Sequence, residues 1–369
     1  MRKLAHIEII ESLHPIEKAD KIEMVKVLGW QCVVAKGEFK VGQKIIYIEI
    51  DSIVPDKPEF EFLKDRKFRV KTIKLRGQIS QGLIIPLPHD WTVKRDDRCI
   101  IGSDVTEELG ITKYISKSEQ NEIFKQKIAH HWTKKYGITK WLWKYKWFRN
   151  LVNPIKKKDW PKWVSKTDED RIQNIPSILK YYADKIVEVT EKIDYQSATF
   201  TIKRQSWFKK STFLVCSRNL INTSKTSLYW IISEKYGIKK LFKEIMRDQW
   251  WSNFTIQGEQ GGPGVQSNKY RLEEHKFFVF NLIRSGKITT YKDMKDFCDY
   301  NKLDIVPFVK RCKLSSLGTT VDELVKFSEG KSQLNPKIQR EGIVVRCIED
   351  KKKLFSFKVV NPKFLLKYE

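Results

Sequence analysis

Through residues 1–115, apolar positions come in short runs that alternate with polar ones and stop at glycine or proline. Val25-Lys26-Val27-Leu28 and Lys44-Ile45-Ile46-Tyr47-Ile48-Glu49-Ile50 read as strands, broken by Gly29, Gly37, Gly42 and Pro55. A second pair, Arg69 to Leu75 and Gly82 to Leu87, brackets a turn at Arg76-Gly77-Gln78. Short strands with regular turns predict a small barrel of the OB type, a fold that commonly holds single strands on one face. The alternative is a β domain that only packs on its neighbour. After Thr167 the pattern changes. Ile186 to Thr190, Phe213 to Cys216, Lys276 to Phe280 and Ile343 to Arg346 read as strands, while Ser227 to Arg247 and Tyr291 to Asn301 read as helices. Strands interleaved with helices predict a mixed-sheet domain, so the fold class is α+β.

Between these regions, Ser116 to Lys166 carries 14 Lys and Arg against 3 Asp and Glu. Trp132, Trp141, Trp143, Trp147, Trp160 and Trp163 are interleaved with them. Helices are predicted within 121–150, placing Trp141, Lys144, Tyr145 and Phe148 on one face. Such a segment could hold phosphates and stack on bases, or it could be a helical insert whose tryptophans form its own core. The expected organisation is 1–115, a barrel touching RNA or phosphates; 116–166, a basic insert; and 167–369, the domain that holds the chemistry.

Charge narrows the partners. The whole chain has 71 Lys and Arg against 45 Asp and Glu, a formal net charge of +26, which attracts a polyanion such as nucleic acid. No apolar stretch approaches the roughly 18 residues of a membrane span, and the N-terminus lacks the apolar core of a signal peptide. The six cysteines form no Cys-x-x-Cys pair, which argues against zinc and against a disulfide framework. A reducing, cytoplasmic setting is expected.

The candidate chemistry centres on Lys192, within Glu191-Lys192-Ile193-Asp194, directly after an apolar strand that can present a side chain to a cleft. Further along come Gly258-Glu259, Phe277-Phe278-Val279-Phe280-Asn281, Glu341-Gly342-Ile343-Val344-Val345-Arg346 and Ser356-Phe357-Lys358-Val359-Val360-Asn361-Pro362-Lys363. Each alone is weak. In this order they resemble the signature motifs of covalent nucleotidyltransferases: RNA ligases, DNA ligases and mRNA capping enzymes. Lys166 to Asn174 before the lysine, and Gly258 to Gln266 after it, are similar to ATP-dependent RNA ligases with an N-terminal OB domain. Leu28-Gly29-Trp30-Gln31 and Lys74 to Gly82 in the first domain match the same pattern. The resemblance covers nearly the whole chain except about residues 117–158. It departs at Tyr195, where the family usually has glycine.

The resemblance implies an N-terminal OB-type barrel followed by a nucleotidyltransferase domain that seals RNA 3′-hydroxyl to 5′-phosphate ends, in repair or nick sealing. Lys192 would be the nucleophile toward ATP. Asp194, Glu259 and Glu341 would hold magnesium or manganese, with water between. Lys358 and Lys363 would face the phosphates, Lys363 being offset from the usual second lysine. Glu191, Arg171, Arg218, Glu259 and Phe280 would contact the nucleotide, Phe280 through the adenine face. A monomer is expected. A capping-type guanylyltransferase and a non-catalytic RNA-binding protein of the same fold stay open as alternatives. Two features imply no chemistry. Gly261-Gly262-Pro263-Gly264 lacks the Lys-Ser/Thr of a P-loop and reads as a turn, and His130-His131 has no partner ligands at metal spacing.

Overall fold

A computed structural model of the chain describes residues 3–89, 91, 99–115, 120, 145, 160–205, 211–222, 224–349 and 351–368. The helices expected within 121–150 and the His130-His131 pair lie outside the described residues, apart from Tyr145.

The N-terminal region is a barrel assembled from short antiparallel pieces. Ala5–Ile9, Lys44–Ile48 and Leu83–Pro86 form one sheet, and Ser12–Pro15, Ile22–Val27 and Trp30–Ala35 form another. Thr72–Leu75 and Gln78–Gln81 form a hairpin. The pairing expected at the second pair of runs is therefore different: Thr72–Leu75 turns back on Gln78–Gln81, and Leu83–Pro86 joins Lys44–Ile48 instead. The reason is local. Arg76 and Gly77 both have positive φ (47° and 87°), the geometry of the tight two-residue hairpin turn. Gly82 then redirects the chain at φ 101°, so close to Tyr47 that a Cβ there would lie 2.6 Å from its ring.

The C-terminal region holds two larger sheets. Asp170–Arg171, Lys352–Val360, Gly342–Glu349, Ile186–Lys192 and Phe308–Lys313 lie in that order in one. The other runs Thr212–Cys216, Gln196–Lys203, Asn253–Gly261, Lys276–Arg284 and Lys287–Ile288. Alternation buries one face of each. Val187, Val189, Ile343, Val345, Phe357 and Val359 fill the core of the first. Phe200, Ile202, Phe254, Ile256, Phe277 and Val279 fill that of the second, beneath the helices. The helix expected over Ser227 to Arg247 is two helices, Leu228–Lys235 and Ile238–Asp248, separated by Gly237 at φ 59°. Tyr291–Tyr300 is helical as expected, and Thr290 caps it by accepting from the Asp293 amide.

Barrel and sheets are joined by a continuous seam. Val360 and Leu365 pack in the same buried cluster as Val25, Trp30 and Tyr47. Gly29 donates its amide to the Gln173 carbonyl (3.0 Å), where a Cβ would lie 2.7 Å from the Gln173 backbone. Beside it, Trp30 Nε1 donates to Asn174 Oδ1 (2.6 Å), and Asn174 Nδ2 donates to Glu49 Oε1 (2.5 Å). His6 completes this group, 2.7 Å from Glu8 and 3.8 Å from Glu49. Among the described residues no helix is long and apolar enough to cross a membrane.

Candidate active site

The seam and the two sheets enclose a cavity, and Lys192 stands in its wall. Lys192 is the last residue of the strand Ile186–Lys192 and pairs with Gly342. Gly342 has to be glycine, because a Cβ there would sit 2.1 Å from the Val359 carbonyl oxygen. That close crossing carries the preceding Glu341 to the lysine: Nζ of Lys192 lies 2.6 Å from Glu341 Oε1. Asn361 fixes the Glu341 backbone, donating its amide to the Glu341 carbonyl at 2.8 Å. Glu259 approaches from the other sheet, where a bulge between Gln257 and Gly258 shifts the register before it.

The charges explain each other. Burial alone would depress the Lys192 ammonium, but Glu341, Glu259 and Asp194 outweigh it and raise its pKa above the usual lysine value. Glu259 is driven well above the ordinary carboxylate range by burial, Lys192 offsetting only part of this. Burial likewise raises Glu341 against the pull of Lys192, with Asp194 adding repulsion. Three carboxylates thus face two ammoniums, Lys192 and the Lys269 that engages Asp194, which leaves negative charge suited to a further cation.

Glu259 Oε2 and Glu341 Oε2 are buried with no hydrogen-bond partner. Two such hard oxygens fit a hydrated divalent cation. Among the described residues no group of three His, Cys, Asp or Glu side chains is set to hold a metal ion directly. Lys192 lies among the carboxylates, and Asp194 is engaged by Lys269. Contact with a cation through water accommodates that spacing.

Away from Lys192 the cavity wall becomes basic. Asp168 takes Lys358 Nζ (2.9 Å), Arg218 Nη2 (2.9 Å) and Lys113 Nζ (3.3 Å). Burial would raise the Asp168 carboxyl, yet these cations hold it far below the usual range. Arg171, placed beside Lys358 by parallel pairing, has buried Nε and Nη1 atoms without hydrogen-bond partners. Its Nη2 is 3.5 Å from Asp51 Oδ2, and Arg69 Nη2 reaches Oδ1 of the same carboxylate at 2.6 Å. Asp51, Arg69, Lys113 and Tyr114 are contributed by the barrel region.

The remaining expected residues divide. Phe280 and Val344 line the cavity, and Arg346 Nη1 donates to the Phe280 carbonyl (3.0 Å). Glu191 also borders it, but its carboxylate is taken by Ser332 Oγ (2.5 Å) and the Gln333 amide (2.8 Å), which makes it a brace for the lysine strand. Lys363 does not line the cavity. It lies in the helix Pro362–Tyr368, largely exposed, with Nζ 2.5 Å from Glu329, because the chain turns into this helix after Asn361. Sequence reasoning missed Asp168, Lys113, Arg69, Asp51 and Lys269. Asp168 stood within the Lys166 to Asn174 run and offered a signal; the others had none.

Tyr195 is accommodated rather than disruptive. Its ring covers Gly261, where a Cβ would lie 2.3 Å from the ring, and its hydroxyl donates to Asn268 Oδ1 (2.8 Å). Next to it, the Asp194 amide donates to the Tyr270 hydroxyl (3.0 Å). The absence of a side chain at Gly261 leaves room for the aromatic.

A lysine at a strand end, ringed by carboxylates and facing a basic wall shared with a small barrel, defines a covalent nucleotidyltransferase type of site. A family model described as RNA ligase matches residues 185–360, and one described as an OB-fold domain matches residues 4–87. The chain thus carries an OB-fold domain followed by a region of the RNA ligase family. Its structure is similar to Naegleria gruberi RNA ligase with pyrophosphate, at TM-score 0.76 and 27% identity, covering 100% of this chain and 99% of that one. A mutant apo form of the same ligase matches at TM-score 0.77 and 26% identity, covering 100% and 98%. A mutant with ATP and manganese matches at 0.75 and 27%, covering 99% of both chains. No curated protein matches in a sequence search.

Proposed function

We propose that this RNA ligase joins RNA 3′-hydroxyl and 5′-phosphate ends, acting as a monomer, with ATP as AMP donor, a divalent cation as helper and Lys192 as the nucleophile. The observation that carries the reading is the placement of Lys192, 2.6 Å from Glu341 and within the field of Glu259 and Asp194, at the acidic end of a cavity whose other end is basic. The similar Naegleria ligase, solved with ATP and manganese, with AMP and manganese and with pyrophosphate, supports these ligands. In this reading residues 1–115 are the OB domain, 116–166 a basic insert and 167–369 the nucleotidyltransferase domain.

The neutral amine of Lys192 attacks the α-phosphorus of ATP; the N–P bond forms as the P–O bond to pyrophosphate breaks. The RNA 5′-phosphate then takes the AMP, freeing the lysine, and the 3′-hydroxyl displaces AMP to form the phosphodiester. Arg171, Arg218 and Lys358 hold the phosphates at the basic end, where charge develops on the leaving pyrophosphate. Glu341 and Glu259, whose Oε2 atoms lack a partner, would hold the cation, while Asp194 is engaged by Lys269. A cation bound there supplies positive charge that favours the neutral lysine and draws electron density from the α-phosphate. Phe280 and Val344 offer apolar surfaces for the adenine ring.

The test offers labelled ATP and GTP side by side with magnesium or manganese, followed by nicked RNA duplexes. A lysine-linked AMP from ATP and a sealed strand are expected. Labelling from GTP alone would move the chain to the capping class, and RNA binding without any adduct would make it a non-catalytic binder.

A further inference from the structure

The strand Gln196–Lys203 connects two different surfaces. Gln196 and Ser197 line the cavity, and its eight residues then run to the far end of the sheet. There Lys203 pairs with Asn253 and Thr212, and the Arg204 amide donates to the Ser252 carbonyl (2.9 Å). Among the described residues, three tryptophans at this end each carry a cation over the ring. Lys203 Nζ lies 4.8 Å from the ring centre of Trp163, Arg204 Cζ 5.8 Å from that of Trp250, and Arg284 Cζ 5.1 Å from that of Trp251.

Two of these rings have structural work. Trp163 Nε1 donates to Thr201 Oγ1 (3.0 Å), and Trp251 stacks on Phe254 with the planes 9° apart. Arg204 is itself held, donating to the carbonyls of Met246, Gln249 (2.8 Å) and Trp251 (3.3 Å) at the end of the preceding helix. Trp250 is different. It is 93% exposed and joins no buried cluster among the described residues. Folding accounts for the cation beneath it but not for a tryptophan offered to water. The helix leading to it is basic on balance, with Lys239, Lys240, Lys243 and Arg247 against Glu244 and Asp248, and Asp248 is paired with Arg247 (2.8 Å).

We propose that this far end of the sheet docks the single-stranded RNA flanking the junction, with Trp250 stacking on a base and Lys203 and the lysines of the adjoining helix meeting phosphates. The inference rests on the RNA-sealing reading above. Aromatic faces interleaved with cations suit bases interleaved with phosphates, whereas the centre of a protein interface is depleted of charge. The geometry also sets a length. Eight strand residues at about 3.3 Å each place the surface roughly 25 Å from the cavity. At ~3.4 Å per stacked nucleotide, that is about seven nucleotides from the reacting end.

The experiment compares sealing of RNA with flanks of about 4 and about 12 nucleotides by the wild type, Trp250→Ala, Trp250→Tyr and Lys203→Ala, with lysine adenylylation measured beside it. The expected result is a lower KM for the long flank in the wild type. Trp250→Ala should raise that KM about tenfold, Trp250→Tyr should restore most of it, and Lys203→Ala should flatten its salt dependence. Short-flank sealing and adenylylation should stay unchanged in all variants. Equal KM values for both flanks in the wild type, or a Trp250→Ala effect of the same size on both, would overturn the proposal. An unaltered RNA affinity in Trp250→Ala would do so as well and would point to a protein partner. Absence of adenylylation in the wild type would instead break the ligase reading; docking would then be judged by direct RNA titration with Trp250→Ala as the comparison.

Discussion

The two ends of the cavity are built in opposite ways. At the acidic end, Lys192, Glu341 and Glu259 come from strands of the mixed-sheet region, and each is set by a backbone device next to it: a strand end, the close crossing at Gly342 and the bulge before Glu259. At the basic end, Arg171, Lys358 and Arg218 from the C-terminal region meet Arg69 and Lys113 from the barrel around Asp51 and Asp168. The first end is built wholly within the C-terminal region, while the second takes part of its charge from the barrel. Removing the barrel's charges should therefore weaken phosphate handling and leave the geometry around the nucleophile intact.

The sharpest way to break this contrast is at Lys192. Lys192→Ala is expected to abolish the AMP adduct while RNA binding, measured by titration, persists; loss of both from a folded variant would contradict the division. Next comes Glu341→Ala, expected to slow adenylylation by about 10²–10³-fold, with chelation of divalent cations removing it altogether. Full activity in a chelator would sink the assignment of the two unpartnered carboxylate oxygens. At the basic end, Lys358→Ala should cost about 10–100-fold, the worth of one charge-assisted hydrogen bond. That loss should appear mainly in the ATP concentration dependence and less in the pH profile.

Smaller effects sharpen the picture of what supports each end. Tyr195→Gly should destabilise the protein by about 3 kcal/mol, because the ring that covers Gly261 is lost and the surroundings cannot collapse into the space. Tyr195→Phe should cost only about 1 kcal/mol for the bond to Asn268. Denaturant unfolding of the two variants checks both values. A fully stable Tyr195→Gly protein would show that the ring over Gly261 does no packing work.

His6 tests the seam. Burial depresses its pKa, but the carboxylates of Glu49 and Glu8 outweigh this and raise it from 6.5 to about 8. A raised folded pKa stabilises fully below the unfolded value and loses that contribution as pH climbs through the folded one. The barrel seam should therefore contribute about 2 kcal/mol more below pH 6.5 than above pH 8. Thermal melts across that window should show the decline, and His6→Gln should remove it. An unchanged slope in the variant would place the titration elsewhere.

Lys192 had the apolar run before it as a local signal, while Asp194, Glu259, Glu341, Phe280 and Lys358 were legible through the resemblance of their motifs, in that order, to those of covalent nucleotidyltransferases. The sequence reading erred at Lys363, where the chain leaves the strand at Asn361 and winds into a helix, so the side chain that the resemblance placed near phosphate pairs with Glu329 instead. It also read one helix across Gly237 and joined the wrong strands around Arg76-Gly77, since both outcomes depend on a single backbone turn.

The order of motifs, through its resemblance to covalent nucleotidyltransferases, by itself gave the class of the protein and pointed to Lys192, Asp194, Glu259 and Glu341, which the structure brings to one cavity. Only the tertiary structure decided the barrel's share of the basic half. Asp51, Arg69 and Lys113 lie over fifty residues from Asp168 and Arg171, and no local pattern marks them. What brings them together is burial along the barrel seam and the mutual attraction of charges that water would otherwise keep apart. The structure also decided that Tyr195 could stand where glycine is usual, because Gly261, distant in sequence, lies beneath its ring.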